Sequence, residues 1–392
     1  MYNMKMKLMM RILLLCFLGC FWFQLSFAQN ATTDPSEVRV LKSIFEQWGT
    51  QALPETWNIN GEPCSGSAIN GIGTDSLDVN PSITCNCSYD NNATCHITQL
   101  SVYALNKQGV FPKEFVALRY LTLLRIDRNY FTGPLPAFIG NMSALTSLTI
   151  SRNSFSGPIP KELGNLAELT MLYMDSCGLS GEIPSTFAKF TSMQVLQIQG
   201  SSFEGPIPTS FSQLTSLNIL RITDIYIGSS SLDFIKSMTS LTDLKLRNAL
   251  ITGTIPSDIG EYQSLVTLDL SFNNLTGQLP SFLFNMLSLK SLFLGNNSLS
   301  GPLPSQKSDQ LRTMNLLVNN FTFDSSNITT CERMQGRSRM SEGARNWHEI
   351  VGKGFGVVLV EPNRRREESF VLVAFSTVAA SVYEVEDEFD GG

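Results

Sequence analysis

Residues 244–280 read LKLRNALITGTIPSDIGEYQSLVTLDLSFNNLTGQLP, and the second half of this stretch repeats the pattern of the first. Leu244-x-Leu246 returns as Leu268-x-Leu270, and Gly253 with Pro256 returns as Gly277 with Pro280, a step of 24 residues. Carried outward without insertion or deletion, the step lands on Gly109, Gly133, Gly157, Gly181, Gly205 and Gly301, each followed three residues later by proline. Only the copy at Ser229 and Leu232 loses both marks. A short fixed period means stacked units, none able to bury its apolar face alone, so the chain is expected to be a solenoid with its function on the surface.

The apolar positions say which solenoid. Leu145, Leu148, Ile150, Asn153 and Phe155 spell L-x-x-L-x-I-x-x-N-x-F-x-G up to Gly157, and Leu265, Leu268, Leu270, Asn273 and Leu275 repeat it before Gly277. This is the leucine-rich-repeat spacing. Leu148-x-Ile150 fits a short strand with one buried face, and the asparagine amide can satisfy backbone groups where the chain leaves that strand. Proline has no N–H, so one per period suits the outer edge of the coil, away from the parallel sheet. The fold class is therefore an α/β solenoid: a horseshoe of about ten 24-residue coils with a parallel concave β-sheet and a disulfide-bearing N-terminal cap.

Charged residues make up 16% and the net charge is −6, which argues against a nucleic-acid footprint. Lys5, Lys7 and Arg11 precede the apolar run 12–23, and Ser26-Phe27-Ala28 offers small residues for cleavage, so residues 1–28 read as a secretory signal peptide. An uncleaved anchor is the alternative, since 12–28 is 17 residues, near the lower limit of a span. Either way the repeats leave the cytosol. Residues 29–96 form the expected cap and carry Cys64, Cys85, Cys87 and Cys95, which in an oxidising compartment read as two disulfides. Three pairings are open, although Cys85 and Cys87 are poor partners for each other. C-x-C-x7-C lacks the second close pair of a zinc site, so no metal is expected. Cys177 takes the position that Asn153 fills one coil earlier and reads as a buried structural thiol; Cys331 has no evident partner. Eight sequons, at Asn30, Asn86, Asn92, Asn141, Asn274, Asn296, Asn320 and Asn327, point to a glycoprotein, with Asn86 expected to be poorly accessible between its two cysteines. A glycan on Asn296 would stand near the edge of the concave sheet.

With the coils before it, the 244–280 stretch resembles the plant-specific class of leucine-rich repeats. More narrowly, PCSG at 63–66, TCNCSYDNNATCHIT at 84–98, the proline-less ITDIYIGSSSLDF at 222–234 and VNNFTFDSSNI at 318–328 are similar to one group of plant receptor-like kinases. The resemblance covers about residues 36–330. It implies a signal peptide, repeats, a malectin-like domain, one membrane helix and a cytoplasmic serine/threonine kinase. Residues 97–330 would be the repeats. This chain departs from that plan. Asn297 to Asn319 is 22 residues, so the last coil is irregular, and the resemblance stops after Thr330.

Residues 331–392 form a divergent tail, expected to be poorly ordered. It holds the basic run 364–366, an apolar run 370–383 too short to span a bilayer as a helix, and the acidic run 384–388. Gly352-Lys353-Gly354-Phe355-Gly356 resembles a kinase phosphate loop, but 36 residues follow Gly356, with no V-A-I-K, H-R-D or D-F-G. Two histidines, His96 and His348, give poor support to a catalytic triad or a histidine-rich metal site. No catalytic residues and no cofactor are expected, and the chain reads as a non-enzyme.

Function then rests on the concave strand positions. One column runs Arg125, Thr149, Tyr173, Gln197, Arg221, Lys245, Asp269, Phe293; the next runs Asp127, Ser151, Asp175, Gln199, Thr223, Arg247, Ser271, Gly295. Arg221, Lys245 and Arg247 are suited to a ligand carboxylate or acidic glycan, and Tyr173 and Phe293 to apolar anchoring. The candidate ligand residues are Arg125, Asp127, Tyr173, Asp175, Gln197, Gln199, Arg221, Lys245, Arg247 and Phe293. The expected function is recognition of an extracellular peptide, glycan or protein, and of a co-receptor, by a receptor-like ectodomain in the apoplast. The alternatives are a secreted inhibitor of wall-degrading hydrolases, whose class closes both ends with paired cysteines, and a truncated product with no stable function.

Overall fold

The computed structural model describes residues 31–51, 57–68, 79–303 and 308–322, with the backbone of 357–360 and 371–374. The expected signal peptide, Asn30, Asn327, Cys331 and the glycine-rich 352–356 run lie outside the described residues.

The chain opens with β1 (Thr32–Thr33) and α1 (Pro35–Gln47). Asp34 starts this helix because its Oδ1 accepts the N–H of Ser36 at 2.7 Å and of Glu37 at 3.3 Å, with Pro35 at the first position where no donor is needed. Leu41, Ile44 and Phe45 lie three and four residues apart and form the buried face of α1. The antiparallel β2 (Ser82–Tyr89) and β3 (Thr94–Ser101) follow; Cys64–Cys85 ties β2 to the segment before it, and Cys87–Cys95 crosslinks β2 to β3. One of the three open pairings is thereby selected.

From β3 onward one strand per coil is added in chain order, always parallel: β4 (Leu123–Arg125), β5 (Ser147–Thr149), β6 (Met171–Tyr173), β7 (Val195–Ile198), β8 (Ile219–Ile222), β9 (Asp243–Lys245), β10 (Thr267–Asp269), β11 (Ser291–Phe293) and β12 (Thr313–Asn315). The row β3 to β12 makes ten strands, matching the expected coil number. Leu124, Leu148, Leu172, Leu196, Leu220, Leu244, Leu268 and Leu292 stand in register and are fully buried. At roughly 1.5–3 kcal/mol for each such side chain, stacking supplies the driving force that an isolated coil lacks. The last step, Leu292 to Met314, is the short one.

Opposite the sheet, short 3-10 turns close each coil. Pro112, Pro136, Pro160, Pro184, Pro208, Pro256 and Pro280 each precede one of these turns, where a missing N–H leaves no bond unmade. The proline-less coil starts its turn Leu232–Ile235 from Ser231, whose hydroxyl accepts the Asp233 N–H. A second, broken row of short strands flanks the first: Gln108–Gly109, Tyr130–Pro134 and Ser154–Ser156; then Ser180–Glu182 and Ser202–Glu204; then Thr252–Gly253, Asn274–Gln278, Ser298–Pro302 and Asn320–Thr322. The proline-less coil makes the second break.

Asparagine amides tie successive coils together. Asn153 Nδ2 donates to the carbonyls of Ile126 and Ile150, while its Oδ1 accepts the Phe131 N–H. Asn129, Asn273, Asn297 and Asn319 do the same in their coils. Cys177, Ser201, Ile225 and Ala249 interrupt this ladder in the middle of the solenoid. Cys177 is buried and free, and its thiol donates to the Met174 carbonyl at 2.9 Å; burial raises its pKa.

In the cap, buried His96 holds Nδ1 2.9 Å from Glu37 Oε1, and its ring stacks on Tyr120 at 3.8 Å. Glu37 Oε2 accepts the Ile97 N–H at 2.7 Å. Burial raises the Glu37 pKa more than these partners lower it. The folded cap therefore holds this proton more tightly than the unfolded chain. That contribution to stability is present at low pH and is lost as pH rises through the raised value. Denaturant titrations followed by the fluorescence of buried Trp48 and Trp57 should show Glu37→Gln gaining stability relative to wild type as pH rises from about 5 to 7. A pH-independent difference would mean that Glu37 does not titrate in this window.

In the tail, Val357–Val360 and Val371–Ala374 pair antiparallel. No helix among the described residues is long and apolar enough to cross a membrane.

Candidate ligand-binding face

Every coil projects the residues between its buried leucines onto the open face of the sheet. Register places Arg125 beside Thr149, Tyr173 beside Gln197, Arg221 beside Lys245 and Asp269 beside Phe293, which reproduces the expected first column residue by residue.

Side-chain pairing changes which of these residues are open to a ligand. Arg125 donates from Nε to Asp127 Oδ1 at 2.8 Å, and its guanidinium lies 3.7 Å over the Tyr103 ring. Asp127 is 6% exposed. The expectation that Asp127 faces a ligand is corrected: the carboxylate is buried because it neutralises Arg125. Arg221 is likewise engaged, donating from Nε and Nη2 to both oxygens of Asp243 at 3.1 and 2.8 Å. These bonds raise its pKa further. The expected trio of free cations thus reduces to Lys245 and Arg247, neither of which makes a salt bridge among the described residues. Arg247 is exposed and lies 4.4 Å from the Phe272 ring centre.

The central coils carry the other polar groups. Asp175 takes the Ser151 hydroxyl on Oδ2 at 3.2 Å and gives its own N–H to that hydroxyl at 3.0 Å. Among the described residues its Oδ1 is buried without a hydrogen-bond donor. Burial raises the Asp175 pKa against the pull of Ser151, Arg221 and Arg152. Tyr173 is raised by burial too, with Arg221 opposing. Gln197 and Gln199 are half-buried beside them, as is Phe293 four coils on.

Reading only two columns from the sequence missed a third. Leu123, Met171, Val195 and Ile219 head their strands, half-buried, and Met171, Val195 and Ile219 are direct register partners. They form an apolar stripe alongside Tyr173, Gln197 and Arg221. The same 24-residue count, started two residues earlier, would have found it. A stripe of this kind next to amide, phenol and cation groups can bury one side of an extended chain and hydrogen-bond the other. No group of three or more residues among the described ones could hold a metal ion.

Of the described sequons, Asn86, Asn92, Asn141, Asn274 and Asn320 are exposed and Asn296 is half-buried. Asn86 corrects the expectation of poor access, because β2 turns its side chain outward between the two cysteines.

Comparison with known proteins agrees with the geometry. A leucine-rich-repeat family model matches residues 119–179, and a second matches 264–286 and 288–306. Two probable LRR receptor-like serine/threonine-protein kinases of Arabidopsis thaliana are 49% identical over 94 residues and 44% identical over 119 residues. These matches cover 24% and 28% of this chain but only 9% and 11% of those relatives. The solved structure of the Arabidopsis receptor kinase HAESA, in complex with the peptide hormone IDA and the co-receptor SERK1, superposes with a TM-score of 0.60 at 26% identity, covering 74% of this chain and 46% of that one. The chain thus folds as a leucine-rich-repeat solenoid and, over about a quarter of its length, is similar to plant receptor-like serine/threonine kinases.

Proposed function

We propose that this solenoid is an extracellular recognition domain that binds an extended ligand along its concave face, as a receptor-like ectodomain does. The observation that carries the reading is the contrast within that face: Arg125 and Arg221 are neutralised by Asp127 and Asp243, whereas Lys245 and Arg247 are left without an acidic partner among the described residues. Two cations on adjacent columns that make no salt bridge among the described residues, Lys245 having Asp269 beside it in register, form a carboxylate subsite. The Met171–Val195–Ile219 stripe with Tyr173 supplies apolar contact one to three coils away. Strands spaced about 4.8 Å apart make the row roughly 45 Å long, enough for about 13 extended residues. HAESA, with its bound peptide and co-receptor, supports a peptide as the ligand and a second ectodomain as partner. We place the chain outside the cytosol, attached to or released from the cell surface, and assign it no catalysis.

The test uses synthetic peptides of about 13 residues with a free or an amidated C-terminus, screened against the secreted chain. A Lys245→Glu/Arg247→Glu variant should bind carboxylate-ending peptides roughly 30–100-fold more weakly, about 2–2.7 kcal/mol, with amidated peptides little affected. Equal binding of both peptide sets by both proteins would rule the subsite out.

A further inference from the structure

Tyr130 and Tyr226 occupy the same position of the repeat, on the flank where the chain leaves each concave strand. Their equivalence shows in the backbone: Tyr130 N–H donates to Lys107, Ser202 to Leu179, Tyr226 to Phe203 and Asn274 to Ile251, one coil back in every case. Tyr130 is 54% exposed, Tyr226 is 69% exposed and the adjoining Ile227 is 63% exposed. Between the tyrosines the position is held by Ser154, Gly178 and Ser202, all small and exposed. Gly178 is fixed by the fold, since a Cβ there would land 2.3 Å from the Phe155 carbonyl oxygen. It also lies midway, two coils from either tyrosine.

We propose that this flank is a self-association surface, on which a second copy of the chain docks about a two-fold axis that lies in the flank and crosses Gly178 along the direction of the short flank strands. That axis sets Tyr130 of each copy against Tyr226 and Ile227 of the other, with the serines and glycine between them allowing close approach. An isologous contact must be complementary to itself, and a pair of large residues placed symmetrically about a small one meets that condition. Charge obeys the same operation. Arg128 shares a coil with Tyr130, has a side chain 57% exposed and reaches no acid nearer than Asp127 at 3.8 Å. Asp224 shares a coil with Tyr226, is half-buried and accepts from Thr223 Oγ1 and Asn248 Nδ2 but makes no salt bridge among the described residues, so the axis brings Arg128 opposite the other copy's Asp224. Tyrosine and arginine are the residue types that interfaces favour.

Sequon placement frames the same area. None falls between Asn141 and Asn274, and Asn274 is the equivalent of Tyr226 two coils further on, so a glycan would begin where the contact ends. The five coils offer roughly 24 by 20 Å, or about 1,000 Å² over both copies, at the lower limit for a specific interface. Glu182 lies on the coil of Gly178, so like charges approach the axis and lower the affinity further. The dimer is therefore weak.

Sedimentation equilibrium of the full secreted chain between about 1 and 100 µM tests this. The weight-average mass should climb from monomer towards twice that value. Tyr226→Ser should hold it at monomer. Ser154→Asn completes a sequon with Phe155 and Ser156, repeating the arrangement of residues 274–276 at an equivalent position, and its glycan should also hold the chain at monomer until trimmed enzymatically. Leu287→Ser, at an 81% exposed site on the opposite side of the coil, should leave association unchanged. A wild type that stays monomeric throughout, a Tyr226→Ser variant that associates like wild type, or loss of association in Leu287→Ser would each overturn the proposal.

Discussion

Asn273→Ala should lower the unfolding free energy by roughly 3–5 kcal/mol, more than any single surface substitution in the chain. The side chain is 7% exposed and makes five hydrogen bonds. Its Oδ1 accepts the N–H groups of Ala249 and Ile251, and its Nδ2 donates to the carbonyls of Leu246, Leu270 and Ser271. Two of those carbonyls keep another donor, Asn297 Nδ2 on Leu270 and the Asn248 N–H on Ser271. Truncation therefore strands two buried N–H donors and the Leu246 carbonyl, at about 1–3 kcal/mol each before relaxation. Cys177→Ala provides the contrast, because the same repeat position there offers one weak donor to Met174 and should cost only about 1 kcal/mol. Denaturant midpoints of the two variants decide the matter. If Asn273→Ala stays within about 1 kcal/mol of wild type, leucine stacking alone closes the coils and the ladder is incidental.

This ladder also marks how far the sequence could be read. A period fixes which residues are equivalent, so the ten strands, the buried leucines, the proline-started turns and both concave columns follow from counting. Pairing between columns does not follow, because it depends on side chains reaching diagonally from one strand to the next. Arg221 reaches Asp243 at the head of the following strand, 22 residues away rather than 24, and that two-residue diagonal is invisible to a search in steps of one period. Arg125 turns within its own coil to Asp127, just past the end of β4, a pair legible in the sequence as R-x-D once one asks which acids could neutralise each cation. The cysteine pairing was closed to counting altogether, since nothing in the cap repeats. The flank tyrosines were hidden for another reason: Tyr226 stands at a break in the second strand row, which the loss of glycine and proline near Ser229 announces without saying which residue then stands out, whereas Tyr130 lies within that row at a position where the period does not say how far a side chain is exposed.

Removing Cys64–Cys85 by a Cys64→Ser/Cys85→Ser double substitution should destabilise the N-terminal end by about 3 kcal/mol, and removing Cys87–Cys95 in the same way by about 2.5 kcal/mol. The order follows from loop length, with sequence separations of 21 and 8, because the longer crosslink removes more freedom from the unfolded chain. Either figure is large against the 5–15 kcal/mol that holds an ordinary domain. The loss should not remain in the cap. Trp48 packs its ring 4.5 Å from Phe131 and 5.5 Å from Phe115, and its indole N–H donates to the Val110 carbonyl, so α1 covers the apolar end of the first coils. In a solenoid each coil is stabilised through its neighbours, and an uncovered end frays inward. Hydrogen exchange should therefore show protection falling first at β3 and β4 and last near β9. If the short crosslink proves the costlier one, packing around the fully buried Cys95 outweighs chain entropy. Unchanged exchange at β4 in both variants would instead mean that the repeats fold without their cap.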